Sequence, residues 1–224
     1  MLVQQRNWVY VYTSRASRVS LMKFIKKIPT IVVKRCFVIS NLVAKKTRRD
    51  HIKSVDALKH FQKNLHLIST KVLKMSEKQL DFFIGQEWQK RLDSYNSSNW
   101  LLAEVSTSEV GVWTRAGELP LRWTNKSLLE TATKVKRALG RRHGFKNGHI
   151  RAAQAIKGIL QNSIDEIQTN PYLLPIVFKG DFGTRGRRRL KTKVIGDIDD
   201  GSMRSIALAV NGFTKLKVYF GRPK

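Results

Sequence analysis

The first 49 residues contain no aspartate or glutamate, and the first acidic side chain is Asp50. Cysteine is nearly absent as well. Cys36 stands alone, which excludes an intramolecular disulfide and a thiolate metal cage, and is compatible with a reducing compartment. No run of 18 apolar residues exists. The nearest, IPTIVVKRCFVISNLVA, is split by Lys34 and Arg35, so no membrane span is expected and the uninterrupted core of a secretory signal is missing. There is no internal repeat and no low-complexity tract.

Positive charge is in large excess. The 224 residues carry 43 Lys and Arg against 16 Asp and Glu, a net +27, while 42% hydrophobic residues suffice for a core. Self-repulsion of this size persists most easily when a polyanion neutralises it. DNA and RNA fit best, because every neutralised phosphate also releases counterions. An acidic membrane surface ranks below them. The charge is concentrated at the two ends: +12 over residues 1–49, +6 over 126–168 and +8 over 169–224, against +2 for 50–97 and −1 for 98–125.

This profile suggests a basic N-terminal arm or targeting segment (1–49), a helical hairpin (50–97) and an α+β nucleic-acid-binding domain (98–224). The acid-free, Arg- and Ser-bearing start has the composition of an organellar transit peptide, and Met22 could serve as an internal start. An intracellular, and in that case organellar, location would follow. Apolar residues at Ile52, Val55, Leu58, Phe61, Leu65, Ile68 and Val72 recur at helical spacing. Ser76 and Gln79 have the pattern of a capping box, and Leu80, Phe83, Ile84, Trp88 and Leu92 continue on one face of a second helix. Three extended runs follow, at 100–105, 110–115 and 119–124, which suit a small antiparallel meander. Trp100, Trp113 and Trp123 lie there and are expected to pack in the core rather than stack on bases. Helices are predicted over 126–139, 149–168 and 202–210, and strands over 172–178, 190–196 and 215–220. The class is α+β: a helical hairpin, a small antiparallel sheet with two or three packed helices, and a basic terminal arm.

Two segments carry the candidate ligand contacts. In GRRHGFKNGH (140–149), Arg141, Arg142, His143, Lys146 and His149 supply donors and Phe145 a stacking face, just before a helix N-terminus that favours anions. The spacing excludes a P-loop, since no Lys-Ser or Lys-Thr follows the last glycine. The connection is also too long for a helix-turn-helix. In the second segment, Arg185, Arg187, Arg188, Arg189, Lys191 and Lys193 resemble a basic β-hairpin or arm.

Asp197, Asp199 and Asp200 follow at once. They fail the EF-hand spacing, because the glycine falls at position five and Leu208 at position twelve. The reading adopted is that Asp199 or Asp200 caps the 202–210 helix. The alternative is a nuclease, either Mg²⁺-dependent through these aspartates or metal-free through His143 and His149 as acid and base. The expectation is therefore a basic, non-enzymatic nucleic-acid binder acting mainly through phosphate contacts. It needs no cofactor, and Mg²⁺ enters only with the nuclease reading. RNA is slightly favoured over DNA. A structural ribonucleoprotein component is a third class.

Overall fold

The computed structural model describes residues 22–49, 57–87, 89–124, 126–141, 150–162, 164–180 and 194–224. The chain opens with β1 (Lys23–Ile28) and α1 (Thr30–Arg49), then α2 (Ala57–Leu73), α3 (Glu77–Glu87) and α4 (Gln89–Asn96). β2 (Ser98–Ser106) and the two-residue β3 (Val110–Gly111) lead through a 3₁₀ turn (Ala116–Glu118) to α5 (Leu121–Thr124), α6 (Leu128–Leu139), α7 (Ile150–Asn162) and α8 (Ile164–Thr169). β4 (Ile176–Lys179), β5 (Gly196–Asp200), α9 (Ser202–Val210) and β6 (Lys215–Pro223) complete an α+β fold.

The six strands form one mixed sheet in the order β1-β2-β6-β4-β5-β3. β1/β2, β2/β6 and β4/β5 are antiparallel, whereas β6/β4 and β5/β3 are parallel. Leu101, Ala103 and Val105 of β2 lie opposite Phe220, Val218 and Leu216 of β6, and all six are buried, so over these three rows one face of the pair is core. On the other face Trp100 lies opposite Gly221 and stacks near Tyr95 and Phe178, with ring centroids 5.2 Å apart in each case. Gly221 is required there, because a Cβ would stand 2.8 Å from the Trp100 ring.

The segment expected to be a basic arm or targeting peptide is, from Lys23 onward, a sheet strand and a 20-residue helix. α1 buries Val33, Cys36, Phe37, Val38, Ile39 and Val43, and each such apolar side chain contributes about 1.5–3 kcal/mol. The lysine that interrupts the apolar run is absorbed rather than exposed. Lys34 is 1% exposed, with its ammonium 2.8 Å from Glu77 and 2.6 Å from Asp81 on α3.

α2 and α3 occur where the hairpin was expected, and the Ser76–Gln79 capping box is present in both directions. Each of the two helices packs on α1, which supplies the partner for Leu65, Ile68, Val72, Leu80 and Ile84. The expected meander does not form. β2 pairs with β1 and β6, and β3 pairs with β5 and, through one isolated bridge from Gly111, with Ser127. Residues 121–124 turn helical directly after Pro120, whose carbonyl accepts from the Trp123 and Thr124 amides. The small antiparallel sheet of the sequence reading is thus a larger mixed one, and Trp100 is core as expected, at 3% exposure.

Candidate nucleic-acid interface

The basic run 185–193 sits in the connection of a true β-hairpin. β4 and β5 are antiparallel, and the Gly180 amide donates to the Ile195 carbonyl at 2.7 Å. Arg185, Arg187, Arg188, Arg189, Lys191 and Lys193 themselves lie outside the described residues. The root adds further cations. Lys179 is exposed at the end of β4, and because Phe178 lies beside Gly221, Arg222 of β6 is its neighbour in the next strand. Lys224, also exposed, follows. The second strand of the hairpin begins at Gly196, later than the expected 190–196, so the aspartates belong to the strand.

The other basic segment leaves the end of α6. This helix is set by a capping box, with Ser127 accepting from the Glu130 amide and Glu130 reaching back to the Ser127 amide. Leu128, Ala132, Val135 and Ala138 are buried, and Lys136 and Arg137 are turned to solvent. Arg141 is exposed just past Gly140, while Arg142, His143, Phe145, Lys146 and His149 lie outside the described residues. α7 begins at Ile150 with no acid in its first turn.

The aspartate cluster is placed differently from the expectation. Neither Asp199 nor Asp200 caps α9. The N-cap is Gly201, in the left-handed region at φ 87°, with no side-chain cap bond. Both aspartates belong to β5, where the pairing with β4 shifts register between Ile176 and Val177, and their carboxylates meet partners on other elements. Asp199, 4% exposed, accepts from Arg91 Nε at 3.1 Å, Arg91 Nη2 at 3.4 Å and the Tyr95 hydroxyl at 3.3 Å. The Arg91 guanidinium also lies 4.7 Å from the centre of the Phe37 ring. Asp200 accepts from Ser40 Oγ at 2.7 Å and Arg204 Nη2 at 2.6 Å. Asp197 is half-buried, opposite Phe178 and two residues from Asp199 on the same face of β5.

Burial sets the protonation behaviour of this region. It opposes the Arg91 charge, but Asp199, Tyr95 and Asp200 together more than offset that, and the guanidinium holds its proton more tightly than usual. Burial, with the Asp199 charge beside it, pushes the Tyr95 hydroxyl well above the ordinary tyrosine range. Burial pushes the Cys36 thiol up to about 12, and Cys36 Sγ donates to the Leu174 carbonyl at 3.6 Å. The arrangement is an ion network that ties α1, α4, β5 and α9 together. Among the described residues no three His, Cys, Asp or Glu side chains converge as a metal site.

The network's cationic half escaped the sequence reading. A signal existed: Arg91 and Tyr95 are four apart and so share a helix face, and Asp197 and Asp199 are two apart on a strand. Among the described residues no helix is long and apolar enough to cross a membrane. Comparison with family models, with curated proteins and with solved structures finds no match.

Proposed function

We propose that this protein binds nucleic acid without transforming it, mainly through phosphate contacts, with RNA favoured over DNA. The observation that supports this reading best is the β4–β5 hairpin. It carries six cations in its connection, has Lys179 and Arg222 at its root, and is braced from below by the buried Arg91–Asp199 pair. A rigid root presenting a basic connection suits a polyanion of irregular shape, which is the usual form of an RNA target. The exposed cations at the end of α6 point to the same ligand class.

The test is binding of labelled RNA and DNA oligonucleotides by nucleic-acid-free protein across a salt series. If about six phosphates are contacted, affinity falls roughly a thousandfold between 50 and 200 mM salt. Changing Arg187, Arg188 and Arg189 to alanine weakens binding and flattens that slope. A slope of zero for the parent protein overturns the proposal, and cleavage of the labelled strand overturns its non-enzymatic part.

A further inference from the structure

The sheet carries a second concentration of cations, at the other end of β6 from Arg222 and the hairpin root. On the face of β2/β6 opposite the all-apolar one, pairing places residues in rows. Lys23 of β1 lies opposite Glu104 of β2, and Glu104 lies opposite Lys217 of β6. In the next row Lys26 lies opposite Leu102. On the other side Lys215 lies opposite Ser106. Lys23, Lys26, Lys215 and Lys217 are all exposed. Strands stand about 4.8 Å apart and alternate residues about 6.7 Å apart along a strand, so these lysines form one patch. A single carboxylate, Glu104, sits among the four, with Lys215 Nζ 3.6 Å away.

Edge protection accounts for only half of this pattern. Lysines are common on edge strands, where they discourage sheet-to-sheet pairing, and β1 is an edge. β6 is not. β2 pairs with it along its whole length, β4 joins it only at Tyr219–Gly221, and on that side the Lys217 amide already donates to Gln168 Oε1 at 2.9 Å, so no open row of amides there calls for a lysine. The patch also differs from the basic hairpin in chemistry. Its rows hold lysines, a glutamate, a serine and a half-buried leucine, and the one aromatic in them, Tyr219, is 3% exposed. A base would have nothing here to stack on, whereas a phosphate would meet ammonium groups.

We propose that the lysine-bearing part of this face, formed by β1, β2 and the start of β6, is a nucleic-acid backbone-binding surface, distinct from the two basic segments, in which Lys23, Lys26 and Lys217 contact phosphates without reading sequence. This rests on the nucleic-acid reading above and adds to it a second contact area. The phosphate backbone is preferred to an acidic membrane because the patch is lysine-lined and the apolar residues in its rows, Leu102 and Tyr219, are half-buried and buried.

The experiment uses the full chain carrying Lys23→Gln, Lys26→Gln and Lys217→Gln, with labelled single-stranded RNA as probe and thermal unfolding as the fold control. Three lost phosphate contacts lower the salt slope by about 2, which makes the loss of affinity between 50 and 200 mM salt roughly twentyfold smaller than for the parent. The melting temperature stays near that of the parent, since these side chains are exposed. Should the triple variant fail to fold, Lys217→Gln alone gives a slope change of about 0.7. Glu104→Gln provides the converse reading: removing the one carboxylate among the lysines tightens RNA binding, an effect that edge protection does not produce. An unchanged slope in the lysine variant while the parent binds RNA overturns this inference and leaves the nucleic-acid reading standing. A parent that fails to bind any nucleic acid overturns both. A lysine variant that loses only binding to vesicles of acidic phospholipid, with RNA binding intact, overturns the choice of partner.

Discussion

Replacing Asp199 with alanine should destabilise the protein by about 3–5 kcal/mol, because it strips one partner from a buried ion pair and leaves the other charge uncompensated. The geometry sets this scale. Arg91 and Asp199 are 8% and 4% exposed, Arg91 donates twice to the carboxylate, and the Tyr95 hydroxyl donates a third time. Deleting the carboxylate removes the acceptor of all three bonds, while the cation–π contact with Phe37 holds the guanidinium inside. For a chain of this length about 2–4 °C of melting temperature accompanies each kcal/mol, so the shift should be roughly 6–20 °C. Thermal and urea unfolding followed by circular dichroism would measure it. Two companion variants locate the cause. Tyr95→Phe removes one donor and should cost about 1 kcal/mol. Asp199→Leu combined with Arg91→Met replaces the pair by apolar volume and should be markedly less harmful than Asp199→Ala. A loss of 1 kcal/mol or less for Asp199→Ala is what a mere helix cap would give, and it would refute the buried-pair argument.

Further expectations concern the aromatic cluster and the buried titrating groups. Gly221→Ala should cost about 1–3 kcal/mol, since the new methyl would stand 2.8 Å from the Trp100 ring, and an unchanged urea midpoint would contradict this. Cys36, buried and with its thiol pushed up to about 12, should react with a thiol reagent only after unfolding, so prompt stoichiometric labelling of the native protein would count against the structure. Cys36, Tyr95 and Tyr219 all hold their protons to higher pH in the folded state than in the unfolded chain. Their contribution is therefore fully present below about pH 8.5, and stability should fall as pH rises through the unfolded thiol value and then the unfolded tyrosine value near 10. Urea midpoints that stay level from pH 8 to 11 would contradict that sign.

What the sequence reveals about this fold is mostly what neighbours in the chain decide among themselves. Ser76 and Gln79 announce a helix start because both bonds of the box lie within four residues, and the alternation of Leu216, Val218 and Phe220 marks β6 because burial follows the pleat. α1 is hidden from such reasoning. Lys34 makes the run look broken, and the acids that neutralise it lie 43 and more residues away on α3. β5 is hidden for the same kind of reason. Three aspartates in five residues oppose strand propensity, yet Asp199 is matched by Arg91 across 108 residues and Asp200 by Ser40 across 160. The 140–149 and 185–193 segments are legible as charge alone, since clustered Lys and Arg declare themselves in composition. The lysine face needs the register of β1, β2 and β6, which composition does not contain.

The position of β6 bears on how the chain is made. It is the last strand, yet it lies at the centre of the sheet, and among the described residues it alone joins the β1–β2 pair to the β4–β5–β3 group. During synthesis both groups emerge before residues 215–223 do. For that interval β2 and β4 each face the cell with an unsatisfied row of amides and carbonyls, the form in which strands pair with the wrong neighbour. A chain cut short before residue 215 would be left with two half-sheets and no seam between them. The protein's vulnerability to aggregation is thus concentrated in a brief stage of its biosynthesis, and it ends when the final strand slots in.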